Sequence, residues 1–381
     1  MKTVQSARDT SGNSNSSIVW LFVRWVTPLI NALFLFNSVV PCDCIVQKQP
    51  LSPSPVQLFL PASKQELYPP LVLLGGIAQT KSSWDHHLSS LAKHRKVLVY
   101  ECLGQGDNTM NENDNDDIAF DASLPTQAQR LLEKLDETLV AAHDENDNPP
   151  VVDVDIAGFS FGGRVAMATA CLQMDASRGD SDDRARVRIR RLHLTGVGCD
   201  RSDYGHLAMR SFLEVIRNDP SLRSFAWSIL LATYSSSYLR SLPETTLERF
   251  LVHVASSNNP NGLLAILDQA EVSDPKDPWH VVNMADRLFS AGLSPEESSE
   301  LNNNNNDDDI IKRIVGKLCV GEFDKMAPVE EVVLLQKKLG WVQRQIDILP
   351  DCGHAVVLEK PRAWRESVLT FLDENDGNGS I

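Results

Sequence analysis

The sequence predicts an α/β chain built on a mostly parallel sheet with helices on both faces. Three observations carry this. Short apolar runs recur at Leu71–Leu74, Val97–Tyr100, Val152–Ala157, Leu192–Val197, Ile314–Val320 and Ile346–Leu349. Segments of helical periodicity fill the gaps, as in Gln127–Ala142, where Leu131, Leu132, Leu135, Leu139 and Val140 mark one face. The runs stop at Gly75-Gly76, Glu101, Gly158, Gly321 and Pro350. Short apolar strands alternating with helices indicate a parallel sheet buried on both sides.

Taken in order, residues 1–45 read as a targeting or anchor segment. Lys2 and Arg8 precede an apolar stretch over 18–40 that is broken by Arg24, Pro28 and Asn31, with small residues near Ser38. Arg24 at its centre is costly in a spanning helix, which favours a cleaved segment over a permanent anchor. Contact with a membrane through this stretch stays open. Residues 46–69 form a Pro- and Ser-rich linker running into an edge strand near Val56–Leu60. Residues 70–199 hold the first part of the core, including a helix over Arg164–Gln173. Residues 200–300 do not alternate; they read as a helical cap inserted before the last two strands. Residues 301–310 are an Asn/Asp-rich loop, and 311–375 complete the core, closing on a helix at Ala363–Leu372. Asn111–Asp117, Asp144–Asn148 and Asn302–Asp309 are acidic low-complexity inserts, expected as solvated loops.

Composition narrows the function. With 381 residues and 42% hydrophobic content the chain can build a large core. A net charge of −15 with no basic stripe argues against nucleic acid as a partner. The seven cysteines are an odd, scattered set apart from Cys42 and Cys44, with no metal-ligand spacing. They read as reduced packing residues, and only Cys352, two residues before His354, lies near chemistry. A small-molecule substrate is expected, with no metal and no organic cofactor.

The chemistry concentrates in Gly158-Phe-Ser-Phe-Gly-Gly, a G-x-S-x-G pattern between an apolar strand and a helix. That context lifts a serine clear of a sheet on a tight, strained turn, which points to Ser160 as the reactive hydroxyl. A serine needs a histidine, and the histidine an acid to fix its tautomer. Asp324 follows the strand Ile314–Val320 at its carboxyl end, with Glu322 as the rival acid. Of nine histidines, His354 alone lies downstream of that acid, after Gly353; the others, His86 and His87 included, read as surface or helix residues. The oxyanion donors expected are the backbone N–H groups of Phe161 and of Ile77, the latter just past Gly75-Gly76.

These residues together resemble the α/β-hydrolase superfamily from about Leu71 to Leu372. Within it the chain is most similar to 2-succinyl-6-hydroxy-2,4-cyclohexadiene-1-carboxylate synthase of menaquinone and phylloquinone synthesis. The likeness rests on Gly158-Phe-Ser-Phe-Gly-Gly-Arg-Val-Ala-Met-Ala, on Asn258-Asn-Pro-Asn-Gly-Leu-Leu-Ala-Ile-Leu with Asp277-Pro-Trp, and on Gly353-His354 continuing to Leu358-Glu-Lys-Pro361. The resemblance implies a lyase that eliminates pyruvate from a cyclohexene polycarboxylate, with Arg164 and Arg210 binding carboxylates and Tyr234 beside them. Together with the N-terminal targeting segment it implies an organelle, a plastid, with the secretory pathway or a membrane anchor as the alternative. Three departures set the chain apart: Gly75-Gly76 replaces a His-Gly, Glu101-Cys-Leu-Gly-Gln-Gly replaces an Asp-x-Pro-Gly-His-Gly stretch, and Thr233 stands where the family has tryptophan. The alternative activity is a serine hydrolase cleaving esters or carbon–carbon bonds of a small or lipid-like molecule through an acyl-enzyme.

Overall fold

A computed structural model describes residues 54–63, 66–108, 120–140, 151–178, 186–271, 274–290, 314–342 and 344–374. The readings made on residues 1–45, on Cys42 and Cys44, on the loop 301–310 and on the three acidic inserts lie outside these residues. Among the described residues no helix is long and apolar enough to cross a membrane.

Among the described residues seven strands form one sheet: β1 Val56–Phe59, β2 Leu71–Leu74, β3 Val97–Tyr100, β4 Val152–Phe159, β5 Val187–Thr195, β6 Val315–Gly321 and β7 Asp347–Leu349. Their order is β1-β3-β2-β4-β5-β6-β7. Only β1 runs antiparallel, against β3. The order reverses between β2 and β4, which pair with Leu74 opposite Gly158. A reversal of this kind opens a crevice at the strands' carboxyl ends, where ligands of open α/β sheets bind.

The strand β5 begins at Val187, five residues before the Leu192 start expected from apolar content. Its early residues Arg188 and Arg190 look like loop because they are charged. They are paired instead: the Arg188 guanidinium grips Asp153 through contacts of 2.5 and 2.8 Å, and Arg190 binds Asp155 at 3.0 and 2.8 Å. The alternating aspartates of β4 thus meet arginines of the neighbouring strand, a cross-strand match that holds the register.

Helices Leu124–Leu135, Phe161–Arg178, Val281–Ser290 and Val329–Lys338 share one core with the sheet. The opposite face is covered by Asp85–Leu91 and Pro361–Leu372, with Trp84 and Trp364 rings 5.4 Å apart. A third apolar cluster joins helices Asp203–Asn218, Arg223–Thr233, Glu244–Ser257 and Pro260–Glu271 into a cap. The cap is therefore shorter than 200–300. Val281, Met284, Ala285 and Leu288 form an apolar stripe that packs in the main core, and the Cys171 thiol lies 3.6 Å from the Met284 carbonyl. Cys102, Cys171, Cys199, Cys319 and Cys352 are free and buried.

Two buried histidines make stability depend on pH. His87, in the helix Asp85–Leu91, is pushed down to about 3 by burial, then by its neighbours His86 and Arg365. His193 on β5, whose ring shares a 2.8 Å hydrogen bond with Ser367, is pushed down to about 3 by burial and then by Lys317. A depressed folded-state pKa means the unfolded chain binds more protons, so this contribution is full above about pH 6.5 and lost as pH falls towards 3. Two such groups give a slope approaching about 2.7 kcal/mol per pH unit within that window. Urea midpoints measured between pH 7 and 4 should fall accordingly, and His193→Asn should remove about one proton's worth of slope.

Candidate active site

The strand β4 runs straight into the helix Phe161–Arg178, and Ser160 is the hinge residue between them. Its φ of +54° lies in the left-handed region that a side chain bearing Cβ rarely adopts. The turn is tolerated because its flanks are glycines. A Cβ on Gly158 would sit 2.6 Å from the Gly163 Cα, and one on Gly162 would sit 2.5 Å from the Leu74 carbonyl oxygen. Both contacts are against backbone and cannot be relieved by rotating a side chain. Gly162→Ala is expected to cost about 1–3 kcal/mol and to abolish activity by tilting the turn, checked by thermal unfolding alongside turnover.

Three side chains from three separate loops converge on this turn. His354 Nε2 lies 2.8 Å from Ser160 Oγ, and His354 Nδ1 lies 2.8 Å from Asp324 Oδ2. Asp324 follows β6, and its other oxygen accepts the backbone N–H groups of Met326 and Ala327 at 2.9 and 2.8 Å. The carboxylate is therefore fixed in orientation before it meets the imidazole. The ring is closely packed: Phe159 is 5.2 Å away centroid to centroid, and a Cβ on Gly196 would come within 2.9 Å of its Cε1. Glu322 is exposed and caps the Asp351 N–H at 2.9 Å, so it faces away from the histidine.

The turn after β2 faces the elbow. Ile77 and Phe161 line the same cavity as Ser160. Ala78 has φ +63°, and Gln105 braces the bend. Gln105 Oε1 accepts the Ala78 N–H at 2.9 Å, while its amide nitrogen donates to the Gly76 and Gln79 carbonyls at 3.2 Å each. Gln105 is fully buried and comes from the Glu101-Cys-Leu-Gly-Gln-Gly stretch. Glu101 secures that stretch in turn, accepting the Lys81 and Asp107 N–H groups at 2.8 Å.

Two kinds of wall meet at the serine. Towards the cap lie Met209, Phe212, Ile229, Phe250, Val254 and Leu358, an apolar cavity with no lysine or arginine among the described residues that line it. Tyr234 belongs to this wall, stacked on Tyr238 at 5.5 Å. Burial raises its hydroxyl pKa, so it stays neutral. On the other side Arg164 and Arg201 share two adjoining cavities, one of them reaching Ser160 and His354. Burial, then the Arg201 guanidinium, lowers the Arg164 pKa well below the arginine range. Burial lowers that of Arg201 to about 10, against Asp200, which raises it. Among the described residues no group of three His, Cys, Asp or Glu side chains is arranged to hold a metal ion.

Arg210 does not join the site. On the helix Asp203–Asn218 the residues facing the cap core are Met209, Phe212, Leu213 and Ile216, and one step past Met209 turns Arg210 out to solvent. Arg201, six residues past the end of β5, stands beside Arg164 instead. Two further residues were missed by sequence reasoning. Gln105 is one. The other is buried Glu359, whose carboxylate accepts the Gly353 and Ser235 N–H groups at 3.0 and 3.1 Å and the Ser235 hydroxyl at 2.6 Å. It clips the histidine loop to the cap next to Tyr234.

The model of a family described as the alpha/beta hydrolase family matches residues 71–366. Solved structures share the fold at low identity. An alpha/beta hydrolase enzyme from a Medee basin deep-sea metagenome library is 17% identical, with 86% of this chain and 97% of that one covered and a TM-score of 0.59. A thermophilic esterase from Thermogutta terrifontis gives 18% identity, 84% and 93% coverage and a TM-score of 0.57. MenH from S. aureus gives 15%, 84% and 98%, and 0.56. No curated protein matches the chain.

Proposed function

Because this chain belongs to the alpha/beta hydrolase family, we propose that it is a serine hydrolase acting on a small molecule through a Ser160–His354–Asp324 triad. The observation that carries the reading is the relay of two 2.8 Å contacts running from Asp324 through His354 to a serine held at φ +54°. His354 takes the Ser160 proton as the hydroxyl attacks a carbonyl, and Asp324 supports the imidazolium that forms. The N–H groups of Ile77 and Phe161 receive the oxyanion. His354 then protonates the leaving group, and water, activated by the same imidazole, releases the acyl group.

The apolar cap cavity supports hydrolysis of an ester or carbon–carbon bond over chemistry on a polycarboxylate, because the described residues that line it include no lysine or arginine to pair with further carboxylates. A second reading keeps the lyase of quinone synthesis. Arg164 and Arg201 favour it, since paired guanidinia suit planar carboxylates. One panel separates them: full-length protein with p-nitrophenyl butyrate and with the succinyl-cyclohexene dicarboxylate precursor, measuring nitrophenolate and pyruvate. Ester turnover without pyruvate is expected. Pyruvate release without ester turnover would replace the hydrolase with the lyase.

A further inference from the structure

The cavities around Ser160 differ in character, and each ends where the other begins. Ile77, Ser160, Met209, Met326 and His354 line both the apolar cap cavity and the inner basic one. Phe161, Arg164 and Arg201 line both the inner basic cavity and an outer one of about 250 Å³. The path therefore runs from apolar cap, past the serine, to two guanidinia. Space on that scale is ample for more than one water, which needs only about 15 Å³.

The basic end is unfinished as it stands. The Arg201 Nη1 is buried and has no hydrogen-bond partner among the described residues. A buried guanidinium donor without an acceptor is unfavourable, and the Arg164 charge beside it adds repulsion. Asp200, which lines the inner cavity, offsets one of the two positive charges, and its carboxylate also accepts the Arg201 backbone N–H at 2.7 Å and lies 3.5 Å from His206. Farther out, Asp274 and Asp277 line the same cavity, where they would repel a second anionic group. The site thus suits one negative charge, close to the serine.

We infer that the substrate is an amphipathic monoacid, with its carboxylate on Arg164 and Arg201, its reacting carbonyl at Ser160 and an apolar arm in the cap cavity. This rests on the serine-hydrolase reading of the previous subsection and adds to it the class of substrate. For an ester the reaction consumes water: the acyl–oxygen bond breaks, the alcohol leaves with the proton from His354, and water supplies the hydroxyl of the released acid. The single carboxylate sets this class apart from a polycarboxylate, which a cap cavity lined without lysine or arginine would leave partly unpaired.

The test uses full-length protein and three sets of esters. Monobenzyl esters of succinate, glutarate and adipate carry both features; benzyl butyrate lacks the carboxylate, and the monomethyl esters of the same diacids lack the arm. The best monobenzyl ester should exceed benzyl butyrate in kcat/KM by roughly 10- to 100-fold, the range of a charged hydrogen bond. It should exceed its monomethyl counterpart by roughly 10-fold or more, as loss of apolar contact predicts. In Arg201→Gln the preference over benzyl butyrate should fall by roughly 10-fold, the loss of one charged hydrogen bond with Arg164 still in place. Equal rates for monobenzyl esters and benzyl butyrate, or for monobenzyl and monomethyl esters, would overturn the inference. Should no ester turn over, the serine-hydrolase reading fails separately, and calorimetry on Ser160→Ala protein decides the site. Binding of monobenzyl adipate that is lost in the double variant with Arg201→Gln upholds the basic end; binding unaffected by that change, or none, overturns it.

Discussion

Ser160→Ala is expected to lower kcat by roughly 10⁴ to 10⁶-fold on any ester the wild-type protein turns over, while the fold and substrate binding persist. The size follows from position. The hydroxyl is the atom that attacks, and its 2.8 Å contact with His354 Nε2 has no substitute nearby. Thermal unfolding should move little or upward, since alanine removes a polar atom from a turn whose φ of +54° is set by its neighbours. Residual turnover above the uncatalysed rate is expected from the oxyanion donors alone. Progress curves on purified protein, with residual activity checked for wild-type contamination, measure the effect. A loss under 100-fold would mean that Ser160 is not the nucleophile.

Asp324→Asn should lower kcat by about 10⁴-fold with little change in KM. The direction can be worked out from the hydrogen bonds. One oxygen of Asp324 accepts two backbone N–H groups, from Met326 and Ala327, so an asparagine places its carbonyl there. Its amide N–H₂ then faces His354 Nδ1, which is 2.8 Å from the other oxygen in the wild type. The ring must accept that hydrogen bond at Nδ1 and carry its own proton on Nε2, the tautomer that cannot take a proton from serine. Geometry is preserved while the base is disabled. Steady-state kinetics reads the loss, and a Glu322→Gln control, altering an exposed carboxylate turned away from the ring, should stay within a few-fold of wild type.

Much of the site could be read from sequence because its requirements are local. A serine at a left-handed turn needs glycines at fixed offsets, and Gly158 and Gly162 supply them against backbone only 2.5–2.6 Å from a would-be Cβ. Strand ends are marked by abrupt changes from apolar to Gly or acidic residues, which located Asp324 and His354 near the sheet's carboxyl edge. What escaped depends on distance in space. Gln105 and Glu359 are buried polar residues that look like ordinary loop and helix positions until the carbonyls and N–H groups they meet come from elsewhere in the chain. Arg201 sits 37 residues beyond Arg164, so their shared cavity depends on how the segment after β5 returns over the elbow helix. That Asp200-Arg201 lies at the carboxyl end of a central strand was the signal available. Arg210 went astray for the opposite reason: spacing from a resemblance does not fix helical phase, and one residue rotates a side chain by about 100°. Charge likewise hid the start of β5, where Arg188 and Arg190 belong to a strand because Asp153 and Asp155 face them.

The account rests most heavily on Ser160 being an activated nucleophile, and one measurement addresses that directly. Full-length protein treated with a fluorophosphonate, then digested and mapped by mass spectrometry, should carry a single adduct on the peptide containing Ser160. The adduct should form at least 100-fold more slowly in Asp324→Asn, consistent with loss of the working tautomer. Absence of any Ser160 adduct in protein that still turns over an ester, or an adduct on another serine instead, would contradict the account.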